Sequence, residues 1–337
     1  MLSVQPPADH EPSQASPAVL TPFKILELPE ELINHTLTYC GSRRTLRRLR
    51  RTCRKIARIA SPLLFSVVHI YPSQRGMRNF IALAATENFC QMVKHTVFYI
   101  QPLGMINTTS KDLRRVVGSF TNLKSITVTT RYRTLNLYCE GDGGDTPFNY
   151  LLPVITKAAA CQGLQSLRIN PDCDLFWFQQ PNEGHWPPVS EESVKLRYQE
   201  MGVAFISLRR LEITELKNRI YIVGRVAIFI QQLRKLEELE ISYDSAAMLG
   251  NRAHMLDDLP AQLQQKISCP RLWRLKLAVP TTRQSLTVFL EQFADSLQFL
   301  DIKGVLFAYI EPKRPDEVFA AEISRRLSLC KSIKYEI

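Results

Sequence analysis

The chain has 337 residues, a formal net charge of +11, 45% hydrophobic and 22% charged residues. That is enough for two domains or one elongated one, and the balance excludes a wholly disordered or fibrous protein. No run of roughly eighteen or more apolar residues appears, and the N-terminus lacks the basic-then-apolar order of a secretory signal, so a cytoplasmic or nuclear protein is expected.

Residues 1–22 hold five prolines among small polar residues without hydrophobic period and read as a disordered leader. From Phe23 to Phe65 two helix signals follow. Pro29 stands at an expected first helical position, with Glu30 and Glu31 in the first turn where the helix dipole favours acids. Leu32, Ile33, Leu37 and Cys40 recur on one face, Gly41 fits a left-handed cap, and Ser42 can cap a second helix. In that second helix Leu46, Leu49, Cys53, Ile56 and Ala60 are spaced three and four apart. Nine Lys or Arg lie between Arg43 and Arg58 with no acid among them. The rest of the chain therefore sums to only about +2, so the positive charge is local. Three readings of this basic helix stand: a patch for an acidic partner, a solvated face, or contact with nucleic acid. No aromatic platform or zinc knuckle accompanies it, and nucleic acid is the least favoured.

The order LPEEL, short helix, second helix with Thr52-Cys53-Arg54, then a Ser61-Pro62-Leu63-Leu64-Phe65 exit resembles the F-box, the small helical module that docks on the Skp-type adaptor of SCF ubiquitin ligases. The resemblance covers about 43 residues. It implies that Leu28, Pro29, Leu32, Ile33, Leu37, Leu46 and Leu49 are adaptor-binding or module-core residues, without saying which does which. It also implies an acidic adaptor, which suits the basic helix, and through that adaptor a cullin ligase.

Residues 66–71 then read as a strand, Arg75–Lys94 as a helix and Thr96–Ile100 as a second strand. Beyond them an LxxLx(I/V/L) pattern returns at Leu123-Ile126-Val128, Leu164-Leu167-Ile169, Leu208-Leu211-Ile213, Leu236-Leu239-Ile241, Leu272-Leu275-Leu277 and Leu297-Leu300-Ile302. A weaker copy stands at Cys330-Ile333-Tyr335. Helix-like segments at 111–120, 150–161, 221–235, 256–267, 283–294 and 315–329 lie between them. This resembles a leucine-rich-repeat solenoid, with parallel strands on one face and helices on the other. The spacing of 41, 44, 28, 36, 25 and 33 residues is irregular, and the Asn or Cys that usually ties such strands is absent from most copies. The expected fold class is thus α/β: leader 1–22, F-box-like module 23–65 and leucine-rich-repeat-like solenoid 66–337.

Period-two alternation places Ser125, Thr127, Thr129, Ser166, Arg168, Asn170, Arg210, Glu212, Thr214, Glu238, Glu240, Ser242, Arg274, Lys276, Ala278, Phe299, Asp301 and Lys303 on the face away from the leucines. Its charged members, Arg168, Arg210, Glu212, Glu238, Glu240, Arg274, Lys276 and Asp301, are the candidate target-binding set, as a protein surface more than a small-molecule pocket. The alternative is a solvated sheet face. An insertion at 170–193 carries Trp177 and Trp186 with Phe176, Phe178 and His185; these rings either anchor a partner or fold back over a repeat edge. Residues 141–145 (GDGGD) lack calcium-loop spacing and read as a turn.

No phosphate loop, GxSxG, HExxH, GxGxxG or zinc-spaced Cys/His set is present, and the six histidines have no patterned partners. An enzyme, a cofactor and a metal are therefore not expected. The eight cysteines lack CxxC pairs and read as reduced, mostly buried thiols. The resulting expectation is a substrate-recognition subunit whose module docks on the adaptor while the array holds an unidentified target. The alternative is a scaffold outside ubiquitin ligases, or a binder of nucleic acid or anionic surfaces through residues 43–58.

Overall fold

The structure, a computed structural model, describes residues 24–71, 74–100, 115–130, 154–160, 163–169, 191–216, 220–243, 259–263, 269–279, 281–303 and 316–336. The chain divides into two compact units, Met1–Ser61 and Pro62–Ile337. The leader 1–22, the 141–145 turn, Asn170, Trp177 and Trp186 lie outside the described residues.

In the first unit a short 3-10 turn, Ile25–Glu27, precedes α1 (Glu30–Thr38), α2 (Arg43–Leu49) and α3 (Arg54–Phe65), whose last four residues belong to the second unit. Pro29 is the N-cap of α1 rather than its first residue: its carbonyl accepts the Ile33 N–H at 3.1 Å. Gly41 does not adopt the left-handed conformation, since among the described residues only Gly163 is a glycine with positive φ. The end of α1 is closed instead by the Thr38 hydroxyl, which donates to the Asn34 and His35 carbonyls at 2.8 and 2.7 Å. Ser42 does sit at the N-cap of α2, but its side chain makes no capping bond.

The expected single basic helix is two helices. Thr52 donates both its N–H (3.0 Å) and its hydroxyl (2.7 Å) to the Leu49 carbonyl, the acceptor that the Cys53 N–H would need for the helix to continue. Cys53 immediately precedes α3: its carbonyl accepts the Ala57 N–H at 2.9 Å and its sulfur the Ile56 N–H at 3.5 Å. The expected exit at Ser61-Pro62 is also corrected, for α3 runs on through Pro62, which is exposed, to Phe65. Ile33, Leu37, Leu46, Ile56, Ile59 and Ala60 form the buried side of these helices. Lys55 Nζ donates to the Leu26 and Leu28 carbonyls at 2.8 and 3.2 Å, and Arg58 pairs with Glu30.

The second unit is α/β and solenoid-like in order. Among the described residues nine strands form one sheet in the order β1 to β9, every neighbouring pair parallel. They are β1 (Val67–Ile70), β2 (His95–Ile100), β3 (Ser125–Thr130), β4 (Ser166–Ile169), β5 (Arg210–Leu216), β6 (Glu238–Tyr243), β7 (Arg274–Ala278), β8 (Phe299–Lys303) and β9 (Ser332–Glu336). The second apolar position of every copy pairs with that of the next: Ile126, Leu167, Leu211, Leu239, Leu275, Leu300 and Ile333 stand side by side. The row extends backwards through Thr96 to Val68. Phe65-x-x-Val68-x-Ile70 and Val93-x-x-Thr96-x-Phe98 are thus two further copies of the repeat, hidden from a leucine-based pattern.

Two backbone features repeat with the side chains. One carbonyl just before each strand accepts two N–H groups from the next copy: Ser66 from Lys94 and His95, Lys94 from Lys124 and Ser125, and so on through Lys124, Gln165, Arg209, Glu237, Trp273 and Gln298, at 2.7–3.2 Å. The leading residue of most copies also closes a turn out of the preceding helix, as when Leu208 N–H bonds the Phe205 carbonyl at 2.8 Å and Leu236 N–H the Leu233 carbonyl at 3.1 Å. Inward side chains make one continuous core, each buried aliphatic contributing about 1.5–3 kcal/mol.

Helices connect the strands as the pattern predicts, with two differences. The expected helix 75–94 is two, Gln74–Ala84 and Glu87–Met92, because Thr86 breaks the first by bonding the Leu83 carbonyl at 3.0 Å and caps the second. The expected loop 170–193 gives way at Glu191 to an unanticipated helix, Glu191–Ala204, which buries Tyr198 and Met201 just ahead of Phe205. Their spacing of three and four was the available signal. Gly202 on this helix meets the turn after the helix Ile220–Ile230: a Cβ there would lie 2.2 Å from Gln232 Cβ. Helical residues 115–118 and 154–160 and the helices Leu259–Leu263, Arg283–Glu291 and Asp316–Arg326 fall within their expected segments.

Two substitutions test this packing. Gly202→Ala should cost about 1–3 kcal/mol in denaturant unfolding, because the clash is with a Cβ that cannot swing away. Thr96 is buried in the leucine row and its hydroxyl has no hydrogen-bond partner, so Thr96→Val should leave stability unchanged or raise it by up to about 1 kcal/mol.

Candidate functional site

Within the first unit, burial separates the residues that the sequence could only group. Ile33, Leu37 and Leu46 are core, at 8% exposure or less; Leu28 and Leu49 are half-buried; Pro29 and Leu32 are at the surface, Leu32 at 51%. Leu32, His35 and Tyr39 follow one another at i, i+3 and i+7 and so share the outer face of α1, with the His35 and Tyr39 rings edge to face at 4.9 Å. Tyr39 is 77% exposed and Leu26 47%. Of the nine cations between Arg43 and Arg58, Lys55 and Arg58 are used within the unit, whereas Arg44, Arg47, Arg48, Arg51 and Arg54 are exposed and form no ion pair among the described residues.

On the second unit the side chains between the leucine positions form rows across the strands. From β4 onward most of them are charged, and many pair across strands. Glu212, buried, accepts from Arg168 Nε at 3.1 Å and lies 3.6 Å from Arg210. Glu238 lies between Arg210 (3.8 Å) and Arg274 (3.7 Å), and Lys276 donates to Glu240 at 2.5 Å. Arg274 also stands over the Phe299 ring at 5.1 Å, with Lys334 at 5.9 Å from the same ring. Asp301 is buried in register between Lys276 and Lys334, and its Oδ1 has no hydrogen-bond partner. The eight charged candidates therefore do share one face. Most of them are already satisfied by strand-to-strand pairs, each modest where the cation is half exposed.

The β1–β3 end differs: alternation in the sequence marks its β3 members Ser125, Thr127 and Thr129 but none on β1 or β2. Here His69, Tyr71, His95, Tyr99, Ser125 and Thr127 occupy the same outward positions. The Tyr71 and Tyr99 rings stack at 4.6 Å and 5°, His69 stacks on Tyr99 at 5.8 Å, and His69 Nδ1 lies 3.2 Å from the Tyr99 hydroxyl. His95 hydrogen-bonds to Ser125 Oγ through Nδ1 and to Thr127 Oγ1 through Nε2, the latter at 3.3 Å. Two histidines without patterned partners in sequence thus meet across adjacent strands. Burial, and then the His69 imidazole, lower the His95 pKa below 6.5.

The described cysteines, Cys40, Cys53, Cys90, Cys269 and Cys330, are free thiols; only Cys90 and Cys269 are buried, fewer than expected. Cys269 donates to the Leu233 carbonyl at 3.1 Å, and burial pushes its thiol up to about 12. Among the described residues no group of three His, Cys, Asp or Glu could hold a metal ion, and no helix is long and apolar enough to cross a membrane.

No protein-family model matches this chain, and no curated protein matches it either.

Two measurements check the site chemistry. The unfolded chain binds the His95 proton more readily than the folded one, so the folded state should lose stability as pH falls through 6.5, and the His95 midpoint by NMR should lie below that value. In alkylation of the native protein, half-buried Cys40 and Cys53 should react while Cys269, buried and held as a thiol, is spared until unfolding.

Proposed function

We propose that this chain is a non-catalytic, target-recruiting subunit of an SCF-type ubiquitin ligase, acting in the cytoplasm or nucleus. Residues 23–65 dock on a Skp-type adaptor in the manner of an F-box, and the sheet unit holds a target protein. The observation that carries this reading is a separately compact helical unit, with the F-box-like residue order, that buries Ile33, Leu37 and Leu46 yet leaves Leu26, Leu32 and Tyr39 at the surface. Exposed large apolar side chains grouped on a small unit are a recognised mark of a docking surface. The exposed arginines suit an acidic adaptor. The contribution of the chain is proximity: holding a target beside a ubiquitin-charged enzyme raises the effective concentration of its lysines at the thioester, with no chemistry by the chain itself.

A second reading has its own support. Arg44, Arg47, Arg48, Arg51 and Arg54 are exposed and unpaired by carboxylates, which favours a scaffold that meets nucleic acid or another anionic surface through the basic helices. Salt separates the two, since binding to phosphates falls steeply with ionic strength while docking through leucines persists.

Co-purification with the adaptor tests the first reading. Leu32→Asp should cut adaptor binding by at least about tenfold with the fold intact, because the side chain is at the surface. Ile33→Asp should unfold the first unit, because a carboxylate there has neither water nor partner. Failure of the intact chain to bind the adaptor, or full binding by Leu32→Asp, overturns the reading.

A further inference from the structure

The face of the sheet unit has a charged half, most of it paired strand to strand, and a half without carboxylates among the described residues. Among the described outward positions of β1 to β4 there is no carboxylate: β1 offers Val67, His69 and Tyr71, β2 His95, Val97 and Tyr99, β3 Ser125, Thr127 and Thr129, and β4 Ser166 and Arg168. The first acid met along the rows is Glu212 on β5, and two arginines hold it.

At the centre of this half His95 bridges two hydroxyls. A neutral imidazole has one N–H and one bare nitrogen. His95 touches a hydroxyl with each nitrogen, so its N–H donates to one hydroxyl oxygen and its bare nitrogen accepts the proton of the other. One hydroxyl proton of the Ser125 and Thr127 pair is thereby left for an outside acceptor, whichever tautomer is present. When His95 is protonated both nitrogens donate and both hydroxyl protons are released outward. Ser125, Thr127 and His95 are only half-buried, so an acceptor can reach them, and Arg168, in register beside Thr127 with its side chain 51% exposed, is paired with Glu212 through its Nε at 3.1 Å.

We propose that Ser125, His95 and Thr127 form the anchor for a carboxylate on an acidic segment of a partner protein, with the stacked Tyr71 and Tyr99 rings beside it as the apolar contact. This rests on the reading of the sheet face as the target surface and places its centre on β1–β3 rather than on the charged rows. A carboxylate accepts from the freed hydroxyls and meets no acid among the described outward residues of β1 to β4, whereas a basic segment finds no carboxylate there to pair with. Among the described residues of this face the titratable and charged groups are His69, which interacts with His95 directly, Tyr71 just after β1, Tyr99 on the same strand as His95 and Arg168 on β4, the last paired with Glu212; β3 contributes none outward, and Lys94 and Lys124 are exposed at the strand starts. All but the tyrosines are cationic or become so, hence a bound carboxylate favours protonation of His95 and the affinity must rise as pH falls.

The test uses the full chain and three fluorescein-labelled peptides of alternating Glu-Gly, Gln-Gly and Lys-Gly, read by fluorescence anisotropy at near-physiological salt. The Glu-Gly peptide should bind at least about tenfold more tightly than the other two, and more tightly at pH about 6 than at about 7.5, a range in which its carboxylates stay ionised. Ser125→Ala combined with Thr127→Val should weaken it about tenfold while the circular dichroism spectrum and melting curve remain those of the parent. Equal binding of the three peptides, no binding of the Glu-Gly peptide, pH-independent affinity, or loss only when Arg47 and Arg48 are changed to Glu each overturn the proposal. A chain that binds the adaptor but not the Glu-Gly peptide refutes this inference alone, and one that binds the peptide through Ser125 and Thr127 but not the adaptor refutes the ligase reading alone.

Discussion

The sheet unit depends on one joint, made eight times: a carbonyl just before each strand accepts two N–H groups from the next copy. The joint pins where every strand begins, and period-two alternation then decides which side chains go inward. Because it is made by backbone it needs no particular side chain, and Ser66, Gln165, Glu237 and Trp273 serve equally. The Asn or Cys absent from most copies is therefore not needed for register. It also explains why spacings as unequal as 44 and 25 residues coexist in one sheet, since the connecting segments vary freely between joints that do not.

With the starts aligned, every outward row becomes a line of cross-strand neighbours, and its composition sets what it can do. Arginines and glutamates of β4 to β7 neutralise each other within the face. Such a surface is hydrated and specific against wrong partners, yet gives little net affinity. The rings and hydroxyls of β1 to β3 pair by stacking and hydrogen bonds instead of opposite charges, and their tyrosines are among the residue types that dominate protein interfaces. The first unit shows the same division at smaller scale, with one apolar set spent on its core and another, Leu32 and Tyr39 among them, left at the surface.

Much of this was legible in the sequence. In every copy from Leu123 to Ile302 the second and third apolar positions lie on a strand and all three are buried, because burial of one face imposes period-two alternation strictly. Ile33, Leu37 and Leu46 were likewise marked by helical spacing. Three things were hidden for identifiable reasons. The break at Thr52 keeps the apolar residues in phase across it, so no periodicity could reveal that a hydroxyl had taken the Leu49 carbonyl. The first two copies place Phe65, Val93 and Thr96 where leucines were sought. His69 and His95 are separated in sequence by a whole connecting segment and meet only through the strand register.

Sequence alone thus determined the α/β class, the division into a small basic helical segment and a long repeat, and the identity of the inward residues, because each follows from local periodicity and the drive to bury apolar surface. Tertiary structure decided the rest. Which leucine of the first segment is core and which is surface, which charges cancel, and that His95 stands between two hydroxyls all depend on distances between residues remote in the chain. Those distances exist only once the backbone joints have set the strands in register.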